Sequence, residues 1–157
     1  MIQSGYLSKP LEVIIYLGAD HAGYAFKERA KRLLAKLGIS IIDLGNSKLD
    51  EMDDYPRWAE KVAGAVAVDK DALGLLFCGT GAGMCIAANK TKGIRAVSVG
   101  TVKEARLSRE HNSANILCLG QRIMPWRLAR RIITSWIETP ASYEARHIRR
   151  VRQLNRL

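Results

Sequence analysis

The sequence predicts an α/β fold: a mainly parallel five-stranded sheet, doubly wound with helices on both faces into a Rossmann-like three-layer sandwich. Two observations predict it. Five short apolar runs each close near a glycine, and segments with helical spacing separate them in strict alternation.

The first run, VIIYLG at residues 13–18, reads as a strand. Phe26, Ala30, Leu33, Leu34 and Leu37 then recur at helical spacing, and Gly38 follows as a stop signal. ISIIDLG at 39–45 is the second strand, and Pro56 opens a helix that runs to about Val68. LGLLFCG at 73–79 is the third strand, followed by a short helix over 83–90. IRAVSVG at 94–100 leads into a helix from Val102 to His111, and NILCLGQ at 115–121 is the fifth strand. Pro125 opens a fifth helix that ends before Pro140, and Tyr143 to Asn155 form a basic last helix.

With 157 residues, 48% of them hydrophobic, the chain can bury a full core. Its length predicts one domain over residues 12–157, preceded by a loose extension at residues 1–11. Cys78, Cys85 and Cys118 are odd in number and lack close pairing, which signals neither a disulfide framework nor a zinc site. No two histidines have metal-ligand spacing, so no metal is expected. No apolar stretch approaches the roughly 20 residues of a membrane span, and the start lacks the order of a signal peptide. These features predict a cytoplasmic protein with no membrane partner.

The net charge of +10 is concentrated at the end, where residues 122–157 hold nine arginines and no lysine against only Glu138 and Glu144. Three readings compete: a nucleic-acid patch, a solvated basic helix, and arginines gathered for a small anionic substrate. Few aromatics and no recognisable binding motif count against nucleic acid.

In a doubly wound sheet the ligand sits beyond the carboxyl ends of the strands. That rule selects the loops Gly18–Gly23, Gly45–Tyr55, Cys78–Gly83, Gly100–Thr101 and Gly120–Arg122. The loop CGTGAG carries the sharpest signal. A dinucleotide fingerprint requires a third glycine where Met84 stands, so a nicotinamide cofactor is not expected. A P-loop requires lysine and a hydroxyl where Met84 and Cys85 stand, and a cysteine-dependent phosphatase requires arginine at 84. There remains a nest of backbone N–H groups at a helix start, able to hold an anion without a charged side chain. Cys78 at its lip can serve as a nucleophile or as a proton-abstracting base, or simply end a buried strand. Cys85 and Cys118 read as buried apolar residues.

His21 and Asp20 lie on the same rim, although a turn with a capping aspartate explains them equally well. His111 and Asn112 end the fourth helix, away from the rim, where a histidine is commonly a cap. His147, among arginines, reads as a surface residue.

The segments GADHAGYAFKE, DYPRWAEKVA, CGTGAGMCIAANKTKGIRA and SREHNSANILCLGQR closely resemble the type B ribose-5-phosphate isomerases, which share a fold with galactose-6-phosphate and allose-6-phosphate isomerases. The resemblance runs from about residue 12 to residue 151. It implies a cofactor-free enzyme that interconverts an aldose phosphate and a ketose phosphate, as a homodimer or homotetramer with clefts shared between subunits. It implies Cys78 as the base, backbone N–H groups from Gly79 through Gly81 to Gly83 as the anion hole, and Thr80 as a proton relay. It implies His111 as the ring-opening group, Asp20, Tyr55 and Asn112 on the sugar hydroxyls, and His21, Arg122, Arg146 and Arg150 on the phosphate. Cys78 together with Met84 matches the cysteine-using branch; another branch carries a glutamate base at the position of Met84. The substrate this implies is ribose 5-phosphate. The alternatives are a tetrose phosphate, galactose 6-phosphate or allose 6-phosphate and, outside the enzyme class, a basic module for nucleic acid or a phosphorylated ligand.

Overall fold

The computed structural model describes residues 13–157, so the extension expected at residues 1–11 lies outside the described residues. The elements run β1 (Ile14–Ala19), α1 (Tyr24–Lys36), β2 (Ser40–Asp43), α2 (Tyr55–Val68), β3 (Leu73–Cys78), α3 (Ala82–Ala88), β4 (Ala96–Ser98), α4 (Val102–Asn112), β5 (Ile116–Gly120), α5 (Trp126–Glu138) and α6 (Ala145–Leu154). The strands form one sheet in the order β2-β1-β3-β5-β4, and every pairing is parallel.

The central strand β3, LGLLFC, is buried along its whole length, as a strand covered on both faces must be. Its side chains alternate between two cores. Leu75 and Phe77 join Ile15, Leu17, Leu117 and Leu119 under α1, α4 and α5, where Phe26, Ala30, Ala105, Ile133 and Trp136 cover them. Leu76 and Cys78 face the other way, joining Ile116 and Cys118 under Trp58, Val62 and Val66 of α2 and Met84 and Ala88 of α3. The sandwich therefore has three layers, with α6 packed outside α4.

β4 is shorter than the run IRAVSVG predicts. Arg95 N–H is taken by the Asn115 side chain at 2.7 Å. At the other end, Gly100 and Thr101 N–H both donate to Glu104 in the capping box that starts α4.

β1 leads out to β2 on one side while β3 pairs with β1 on the other, so chain direction in the sheet diverges between β1 and β3. The loops that follow them depart to opposite faces, β1 into α1 and β3 into α3, which leaves a crevice at their carboxyl ends.

Candidate active site

Two glycines shape that crevice. Gly81 adopts φ +81°, a left-handed conformation that starts α3 directly after the turn. Gly120 lets the end of β5 pass so close to the loop that a Cβ there would lie 2.5 Å from the Thr80 carbonyl carbon. Gln121 N–H donates to Cys78 O and Arg122 N–H to Gly79 O, both at 2.9 Å, which fastens the β5 loop to the glycine loop.

Cys78 ends β3 and is 4% exposed. Its Sγ accepts the Gly81 N–H at 3.1 Å, so the thiol is aimed into the turn. Thr80 is exposed beside it, and its hydroxyl lies 3.4 Å from Ala82 N. The Arg122 side chain lies against Gly79, and the Tyr55 ring packs so closely over Gly83 that a Cβ there would lie 2.8 Å from it. Met84 is fully buried in the second core, so it is packing and does not line the crevice.

Across the crevice, Asp20 is buried and its Oδ1 accepts the Gly23 N–H at 3.0 Å. Asp20 therefore closes the turn that follows β1. Burial pushes its carboxyl above the ordinary value, against the opposing effects of the Gly23 hydrogen bond and of His21.

Sequence reasoning missed the residue that organises His21. Asp53 Oδ1 accepts the His21 backbone N–H at 2.8 Å and lies 2.9 Å from His21 Nδ1. Asp53 Oδ2 accepts from Asn46 Nδ2 at 3.0 Å and from Trp58 Nε1 at 2.9 Å. The hydrogen bond from His21 to Asp53 raises the histidine above its usual pKa. Asn46 is itself held by its carbonyl, which accepts from the fully buried Lys27 Nζ at 2.7 Å; Lys27 also pairs with Asp43 at 2.6 Å. The acidic loop at 49–54 was legible as a cluster, but a partner 32 residues from His21 has no local signal.

The other two thiols differ from each other. Cys118 is fully buried, and burial pushes its thiol up. Cys85 is only half-buried, sits 3.3 Å from Ala96 O, and is lowered to about 7, chiefly by its hydrogen bond with Cys118. Among the described residues, no group of three His, Cys, Asp or Glu side chains is placed to hold a metal.

His111, Asn112, Arg146 and Arg150 do not join this crevice within one chain. α4 returns from the carboxyl end of β4 to the amino end of β5, so its last residues emerge at the opposite edge of the sheet. α6 is fastened to that same edge: Ser142 N–H donates to Glu110 O at 3.2 Å, and Arg95 Nη1 donates to Asn155 Oδ1 at 2.7 Å. A strand of five residues separates the two edges by about 17 Å. Arg146 and Arg150 are exposed there, Arg146 paired with Glu144 at 2.7 Å.

His147 is not the surface residue that its arginine neighbours suggest. It is 5% exposed and lies stacked on His111, with ring centroids 4.5 Å apart and planes 3° from parallel. The cause is the amphipathic α6, which turns His147 inward against α4 while the arginines face out.

The family model described as Ribose/Galactose Isomerase matches residues 15–154. Ribose-5-phosphate isomerase B of Escherichia coli is 43% identical over 138 residues, which is 87% of this chain and 91% of the relative. The Mycobacterium tuberculosis enzyme of the same name is 39% identical over 137 residues, 87% of this chain and 85% of the relative. Among solved structures, Clostridium thermocellum ribose-5-phosphate isomerase B superposes with a TM-score of 0.87 at 41% identity, covering 92% of this chain and 96% of that one. The Mycoplasma genitalium enzyme with bound ribulose 5-phosphate does so with a TM-score of 0.87 at 36% identity, covering 92% and 95%.

Proposed function

The chain belongs to the ribose/galactose isomerase family and is an isomerase, and from that premise we propose that it interconverts ribose 5-phosphate and ribulose 5-phosphate through an enediolate. The observation that carries the mechanism is the Cys78 thiol aimed into the glycine loop, 3.1 Å from Gly81 N, at the crevice where β1 and β3 diverge.

In this reading His111 opens the furanose ring by proton transfer, acting as a general acid–base. Cys78 as thiolate then removes the proton from C2 of the open aldose. The electron pair moves into a C1–C2 double bond and the carbonyl oxygen becomes the enediolate oxygen. N–H groups from Gly79 to Gly83 receive that charge, each contributing about 3 kcal/mol if it behaves as oxyanion-hole donors do elsewhere. Thr80 moves a proton between O1 and O2, and return of the Cys78 proton to C1 yields the ketose. Atoms and charge balance without any redox partner. Asp20, Tyr55 and Asn112 hold the hydroxyls, while His21, Arg122, Arg146 and Arg150 hold the phosphate.

The distance between the two edges supports a shared site. A pentose phosphate is shorter than the roughly 17 Å length of a strand, so one copy cannot bring His111 and Arg146 to its own Cys78. A second copy, as dimer or tetramer, presents its α4 and α6 edge to the crevice of the first. An assay over four-, five- and six-carbon sugar phosphates tests the substrate, with the largest kcat/KM expected for ribose 5-phosphate. Larger kcat/KM for a hexose 6-phosphate would move the assignment within the family, and turnover of none would overturn it.

A further inference from the structure

We infer that Asp53 is the positioning residue of His21, fixing its ring so that Nδ1 donates to the carboxylate and Nε2 is presented to the crevice as a donor for the substrate phosphate. This rests on the reading of His21 as a phosphate ligand given above.

The geometry assigns the proton. Asp53 has a side chain only 4% exposed, and both of its oxygens are occupied by donors: His21 N and Nδ1 on Oδ1, Asn46 Nδ2 and Trp58 Nε1 on Oδ2. A carboxylate so placed only accepts, and Nδ1 must therefore carry a hydrogen. In the neutral ring that leaves Nε2 with a lone pair, which repels a phosphate oxygen. Only the imidazolium offers Nε2–H to an anion, so His21 holds phosphate when doubly protonated.

The charged groups around His21 favour that form. Asp53 on the loop before α2 raises it by its hydrogen bond, and Asp20 on the same turn adds a Coulombic pull in the same direction. Arg122, against Gly79 on the β5 loop, the Cys78 thiol at the end of β3 and the Tyr55 phenol over Gly83 are further titratable groups at the crevice. The support extends inward through Asn46 to Lys27 and Asp43, so Asp53 is held by the core of the fold rather than by the loop alone. The sign follows directly: His21 is charged below its raised pKa, and its grip on phosphate is lost as pH rises through that value.

The test follows His21 by nitrogen-edited NMR and inorganic phosphate affinity by titration, in the wild type, Asp53→Asn, His21→Ala and the double variant. The wild type is expected to show a protonated Nδ1 throughout the neutral range and to titrate above free histidine. Asp53→Asn should move that titration to lower pH and weaken phosphate about tenfold near neutrality, the scale of one hydrogen bond to a charged group. In the His21→Ala background the same substitution should change affinity by less than about twofold, because it then has nothing to act through. Ordinary titration of His21 in the wild type overturns the assignment, as does an equal loss of affinity in both backgrounds. The NMR arm on the wild type also decides the case if Asp53→Asn fails to fold. Absence of both phosphate binding and sugar-phosphate turnover in the wild type would instead sink the functional reading, while the His21 titration still judges Asp53.

Discussion

Replacing Cys78 by alanine removes the sulfur held by Gly81 N–H and leaves the backbone of the glycine loop in place. Turnover should therefore fall to background while phosphate affinity and the thermal midpoint stay close to wild type; normal turnover would exclude Cys78 as the base. Cys78→Ser should recover little, because a hydroxyl ionises far less readily than a thiol near neutral pH. Cys85→Ser should keep kcat within about twofold, since Cys85 faces Ala96 O rather than the crevice. The arginines divide in the same manner. Arg146→Ala and Arg150→Ala should each weaken inorganic phosphate by about 1.5 to 3 kcal/mol, as loss of a hydrogen bond to a charged group does. Arg152→Ala and Arg156→Ala should change little, and equal small effects at all four positions would reduce the tail to diffuse charge. At this scale Cys78 and its glycines were legible because their signal is a contiguous run. Asp53 and His147 were not, because each meets its histidine partner only when distant segments come together.

The elements were legible to within a few residues because short apolar runs closing near glycine separate cleanly from segments with helical spacing in this chain. The exception, β4, is trimmed because the Arg95 and Gly100 N–H groups donate to the Asn115 and Glu104 side chains, which periodicity does not register. Two elements also make stability predictions. Trp136 of α5 is fully buried and donates Nε1–H to Ser108 Oγ at 3.2 Å, so Trp136→Ala should cost about 3 to 5 kcal/mol in urea unfolding. Between α1 and β2, Asp43 faces Lys27 at 2.6 Å and Lys31 at 2.8 Å. Burial alone would raise the Asp43 carboxyl, but hydrogen bonds from Lys27, Lys31 and Gly45 hold it below its ordinary value. Its contribution is present above the unfolded-state pKa and is lost as pH falls through the lower folded value. Asp43→Asn should destabilise by about 1 to 3 kcal/mol at neutral pH, because the buried Lys27 loses its shorter ion pair and keeps only Glu28 at 3.1 Å, and the deficit should shrink in acid. A deficit unchanged down to strongly acidic pH would show that the ion pair is not its source.

At the scale of the whole molecule, the residues that the proposed function assigns to the site lie at opposite ends of the sheet strands, so that proposal requires a second copy to complete the site. A single sequence could reveal the residue types of both halves but not which copy supplies each, since that depends on how two surfaces meet. Co-expression of Cys78→Ala and His111→Ala chains under different affinity tags, with isolation of the mixed oligomers, measures this directly through ribose 5-phosphate turnover. Each variant alone should be inactive on the ring-closed substrate. Random pairing places one intact Cys78 opposite one intact His111 in the mixed species, so the unfractionated mixture should recover about a quarter of wild-type activity and the isolated mixed dimer about half. Mixed oligomers as inactive as the parents would contradict a site built from Cys78 of one copy and His111 of another.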